Sequence, residues 1–137
     1  MKKPVEDWLF YAENDLKTAK ILIKEDNPLT SIIAFHCQQA IEKYFKAYIL
    51  NNNLPLIKTH DLIKLNDMIK EIKDLGIDET KLIVIKQVYS ESRYPGDLGL
   101  LPDVLPTDKQ AREYIEFSKE IRTIILKELS HPDTGTP

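Results

Sequence analysis

Cysteine and glycine are scarce in these 137 residues, which contain one of the former and four of the latter. A lone Cys37 can build neither a disulfide framework nor a four-cysteine metal centre, which fits a reducing, cytoplasmic setting. With so few glycines, and with β-branched residues falling in helix-period rather than alternating runs, the chain lacks the signals of strands and tight hairpins. A basic excess is also missing. The formal net charge is −3 and the pI about 5.6, so the surface as a whole has no cationic bias toward nucleic acid, and only a local patch could supply one. No apolar run approaches the ~20 residues that span a bilayer. The opening MKKPVEDWLFYAENDL turns acidic too soon to be a signal peptide, so no membrane anchor is expected. Three histidines without clustered spacing, and no glycine-rich phosphate loop, point to no metal and no cofactor.

What is present is helical periodicity. We expect an all-α, up-and-down bundle of four to five antiparallel helices, with one domain over residues 1–130 and a flexible tail over 131–137. Pro4 suits a first helical turn, and Val5, Leu9, Ala12, Leu16 and Ala19 keep a 3.6-residue period to about Lys24. A central helix spans Ile32 to Leu50. A third begins at Thr59 or His60 and ends near Gly76, and a fourth runs from a cap at Asp78 to about Arg93. Residues 94–106 hold three prolines and two glycines and form the longest irregular segment. Thr107 with Gln110 then reads as a capping box that opens a fifth helix through Leu129.

The central helix is apolar on most of its circumference, at Ile33, Cys37, Ala40, Ile41, Tyr44, Phe45 and Tyr48. His36, Gln39, Lys43 and Lys46 share one narrow polar face, with Gln38 and Glu42 in an adjacent row. Such a stripe has two readings. It is either a solvated strip with a few hydrogen-bonded buried side chains, or a groove for an anionic group or partner.

The run FHCQQAIEKYFKAYIL, then THDL, then SRYPG, in that order and spacing, resembles the HEPN domain (higher eukaryotes and prokaryotes nucleotide-binding) over roughly Glu6 to Glu128. The resemblance implies a helical bundle similar to the C-terminal domain of kanamycin-type nucleotidyltransferases, and usually a homodimer. It also implies a small nucleotidyltransferase as partner, in some cases as a toxin-antitoxin pair whose HEPN member is a metal-independent RNase. In that RNase branch an arginine and a histidine stand four to six positions apart. Arg93 matches the arginine, but Tyr94, Pro95, Gly96, Asp97, Leu98, Gly99 and Leu100 follow it without a histidine. This departure argues against ribonuclease activity.

The expected function is therefore nucleotide binding as the non-catalytic partner of a nucleotidyltransferase, with Arg93, Tyr94, His60 and Lys43 as candidate nucleotide contacts. The planar donor fork of Arg93 suits phosphate, and His60 can exchange a proton near neutral pH. Two alternatives stand beside it. One is an RNase using Arg93 and His60, and the other is a non-enzymatic interaction module. A plainer account of the same residues also exists, because His60 and Asp61 can serve at a helix start, and Arg93 can face the negative end of a helix dipole. Opposed packing of successive helices would gather His60, Asp61, Arg93 and Tyr94 at the end of the bundle where the central helix finishes.

Overall fold

The computed structural model describes residues 1–93 and 105–130, with side chains omitted for residues 89–93. Five helices account for most of this: α1 (Lys3–Leu22), α2 (Thr30–Asn51), α3 (Leu62–Ile72), α4 (Glu79–Arg93) and α5 (Asp108–Ser130). The fold is all-α, and no strand occurs among the described residues.

The central helix is α2, because its apolar residues face several sides. Ile33, Cys37, Ala40, Ile41, Tyr44, Phe45 and Ile49 are all fully buried. Each buried aliphatic or aromatic side chain contributes roughly 1.5–3 kcal/mol over exposure, so this one helix anchors the core. Antiparallel to it lies α1, brought close by the small Ala12 and Ala19. The pairs Asp15–His36, Glu13–Tyr44 and Lys2–Asn53 fix that direction. The fifth helix also packs on α2 but runs parallel to it, where the up-and-down expectation sets it antiparallel. The Ser118 hydroxyl donates to the Cys37 carbonyl at 3.4 Å, and a turn-by-turn match further along sets Glu128 near Tyr48.

The helix ends follow local chemistry. Gln110 and Thr107 exchange reciprocal bonds of 2.9 and 3.0 Å, so the expected capping box opens α5. The Asp78 carboxylate accepts the Lys81 N–H at 3.2 Å and caps α4. The third helix departs from expectation at both ends. It starts at Leu62, with Asp61 as its cap accepting from Ile63 and Lys64, so Thr59 and His60 precede the helix. It stops at Ile72, where Lys73 turns extended, and Gly76 at φ 71° shapes the connection beyond it.

The link from α2 to α3 positions the site. After Asn53, itself left-handed at φ 62°, the chain runs back along α2 until Gln38 Nε2 donates to the His60 carbonyl at 3.1 Å. Gln38 lies 13 residues before Asn51, or roughly 20 Å back along the axis. The expectation that His60 and Asp61 sit where α2 finishes is thus corrected: the return of the linker sets them beside its N-terminal half. From there α3 and α4 form an antiparallel pair, tied by Lys86–Asp61 at 3.1 Å and Lys70–Glu79 at 2.6 Å. Tyr94 and most of the irregular segment, with the tail 131–137, lie outside the described residues.

Candidate functional site

Gln38, Glu42 and Lys46 repeat every four residues and form a polar row on the side of α2 that meets the returning linker. The carboxylate of Glu42 is only 3% exposed, a position that a charge occupies only when it is paired and hydrogen-bonded. Its Oε2 accepts from Lys46 Nζ at 2.9 Å, and its two oxygens lie 3.0 and 3.1 Å from His60 Nδ1. Lys46 is itself buried, with its ammonium 5.2 Å from the centre of the Trp8 ring. Gln39 completes the row by donating to Gln38 Oε1 at 3.0 Å.

His60 is the exposed end of this network, its side chain 58% accessible. Nδ1 is engaged inward. Nε2 makes no hydrogen bond among the described residues. A carboxylate can only accept, so Nδ1 carries a proton and the ring is held from behind by a buried acid.

Next to it, burial pushes the Asp61 carboxyl up, but the Lys86 bond and the backbone N–H groups of Ile63 and Lys64 outweigh this and hold it below the usual carboxylate range. Seven residues past Lys86, about 10 Å along the helix, α4 ends at Arg93. The guanidinium of Arg93 and all of Tyr94 lie outside the described residues.

The structure does not bring Lys43 to this place. Lys43 reaches Asp15 of α1 at 2.5 Å, and His36 reaches the same carboxylate at 2.9 Å. The polar stripe of the central helix therefore divides: His36 and Lys43 both reach Asp15, while Lys46 turns to Glu42. Both lysines of the stripe have a carboxylate partner, and so does His36, so the anion-groove reading gives way to that of hydrogen-bonded, largely buried side chains. Gln38 and Glu42, which the sequence shows only as an adjacent polar row, are the residues that hold His60. The available signal was a Glu four residues before a Lys, on a helix apolar almost all round.

Two further features frame the site. Glu13 of α1 receives the Tyr44 hydroxyl and a two-pronged contact from Arg122, at 2.6 and 3.2 Å, and so clasps α1, α2 and α5 together. Burial would raise the Glu13 carboxyl, but those bonds hold it low, while burial and the Glu13 contact push the Tyr44 phenol up. Between α4 and α5 lies a cleft of about 550 Å³ floored by Val84, Tyr114 and Phe117. Its rim carries Lys81, Lys109 and Arg112 against Glu113, Glu116 and Glu120, a balance that selects for neither sign of ligand.

Among the described residues no group of three His, Cys, Asp or Glu side chains is placed to hold a metal ion, and no helix is long and apolar enough to cross a membrane. A family model described as the HEPN domain matches residues 5–129. No curated protein and no solved structure matches the chain.

Proposed function

Because the chain belongs to the HEPN domain family, a membership that supports a nucleotide-binding or RNase-like module, we propose that it binds nucleotide as the non-catalytic partner of a separate small nucleotidyltransferase. The observation that carries this reading is the exposed imidazole of His60, anchored on the buried Glu42 beside the helix that leads to Arg93. Arg93 takes the phosphate, and His60 and Tyr94 take the remainder of the nucleotide. Lys43, already committed to Asp15, is left out of the contact set. The working form is a cytoplasmic homodimer, and the pair with the nucleotidyltransferase acts in a toxin-antitoxin system.

The test is calorimetric titration with nucleotides before and after Arg93→Ala. Loss of a charge-assisted hydrogen bond costs roughly 1.5–3 kcal/mol, so affinity should fall about ten- to hundredfold. Unchanged affinity in a folded variant removes Arg93 from the site. Co-purification with a nucleotidyltransferase tests the partner, and a chain with no nucleotide affinity at all is an interaction module instead.

One observation favours a second reading. An acid-backed histidine with a free nitrogen is an arrangement for proton transfer, which RNA cleavage needs. That reading requires metal-independent cleavage of single-stranded RNA, lost in both His60→Ala and Arg93→Ala. Intact RNA after incubation with the purified dimer disposes of it.

A further inference from the structure

We infer that Glu42 positions His60 so that Nε2 of its neutral ring accepts a hydrogen bond from a ribose hydroxyl, which makes the site selective for ribonucleotides over counterparts that lack both ribose hydroxyls. The inference rests on the nucleotide-binding reading and names the sugar that the site takes.

Neutral imidazole has one donor and one acceptor nitrogen, and the hydrogen bond made by one decides the role of the other. In His60 that choice is made by a carboxylate whose side chain is 3% exposed and whose oxygens stand 3.0 and 3.1 Å from Nδ1. Glu42 cannot rotate away, because Lys46 holds its Oε2 at 2.9 Å within the packed face of α2. Nor can the His60 backbone drift, since Gln38, fully buried, holds its carbonyl at 3.1 Å. In the neutral ring the proton is therefore on Nδ1, which leaves the lone pair on Nε2, at the exposed end of the side chain.

A lone pair repels phosphate oxygens and hydrogen-bonds only to a donor. The ribose hydroxyls are the donors that every ribonucleotide carries close to its phosphates, whichever base is attached. A buried-acid, exposed-imidazole pair thus reads sugar rather than phosphate, and a site built around a hydroxyl discriminates against ligands that lack it. Glu42 touches no ligand in this scheme. It acts through His60.

Two measurements on the full chain test the inference. Long-range proton–nitrogen spectra of the histidine rings in ligand-free protein report which nitrogen is protonated, with His60→Phe identifying the signal. The expected result is the Nδ1–H tautomer in the wild-type protein and a shift toward Nε2–H in Glu42→Gln. A proton on Nε2 in the wild type, as the Nε2–H tautomer or as the doubly protonated ring, overturns the assignment without any variant. Titration with ATP and with 2′,3′-dideoxy-ATP should then show a roughly three- to tenfold preference for ATP. That preference should disappear in His60→Phe. Equal affinity for both ligands, weakened by Arg93→Ala, overturns the sugar assignment and leaves the phosphate reading standing. No affinity for either ligand overturns the nucleotide-binding reading, and the sugar assignment falls with it.

Discussion

Glu42 carries three obligations at once: it neutralises Lys46, fixes the ring of His60 and occupies space on the buried face of α2. Removing one partner of a buried ion pair is far more costly than replacing both, because the survivor keeps its desolvation penalty and loses its compensation. We expect Glu42→Ala to destabilise the fold by about 3–5 kcal/mol, with Lys46 left charged and enclosed. The double variant Glu42→Leu with Lys46→Met should recover most of that loss. Urea denaturation with an unchanged slope reads both values. A cost of under about 1 kcal/mol for the single variant means that water already reaches the Lys46 ammonium. The same residue shows why this part of the site was hard to read in the chain itself. Sequence spacing gives the face of a helix but not which neighbour covers it, so Lys46 groups with Lys43 by position while burial groups it with Glu42.

At the scale of elements, α3 depends on its cap. Asp61 serves two backbone N–H groups and the Lys86 ammonium, and these bonds hold its carboxyl low against the opposing push of burial. A carboxyl that is lowered on folding stabilises the native state above its unfolded value, and that stabilisation is lost as pH falls through the folded value. Asp61→Asn keeps the capping oxygen and removes only the charge, so the wild-type chain should be the more stable by about 1 kcal/mol at neutral pH. The gap should close as pH drops below the ordinary carboxylate value of about 3.9. Thermal unfolding of the two proteins across that range checks it, and a gap that stays constant with pH assigns the difference to shape rather than charge.

The elements themselves were largely legible. Thr107 with Gln110 marks the start of α5, and Asp78 marks that of α4, because caps are local chemistry. The third helix starts two to three residues later than the sequence suggests, because Thr59 and His60 look like helix starters while their bonds go elsewhere, to Asp61 and Glu42. The reversal of the linker along α2 has no local signature at all. It depends on Gln38 holding a carbonyl 22 residues away.

The whole molecule turns on a helix that its neighbours enclose, and Cys37 lies in the middle of it, fully buried under α5 where Ser118 meets its carbonyl. Burial pushes the Cys37 thiol up to about 12, so in the native state it is both inaccessible and protonated, the two conditions that suppress reaction with disulfide reagents. One core cluster joins residues of all five helices, among them Leu16, Ile41, Leu65, Ile85 and Ile121. If that cluster opens as a unit, Cys37 becomes reactive only when the molecule unfolds globally. Its labelling rate by an aromatic disulfide should then follow the equilibrium unfolded fraction across a urea series, with the same midpoint as the loss of helical circular dichroism. Labelling that is much faster than global unfolding allows, and insensitive to low urea, would instead mean that α5 swings away from α2 while the rest of the bundle holds. Glu13→Gln separates these two mechanisms. It weakens the Arg122 clasp between α1 and α5, so it should accelerate labelling in step with its loss of global stability in the first case and beyond that loss in the second.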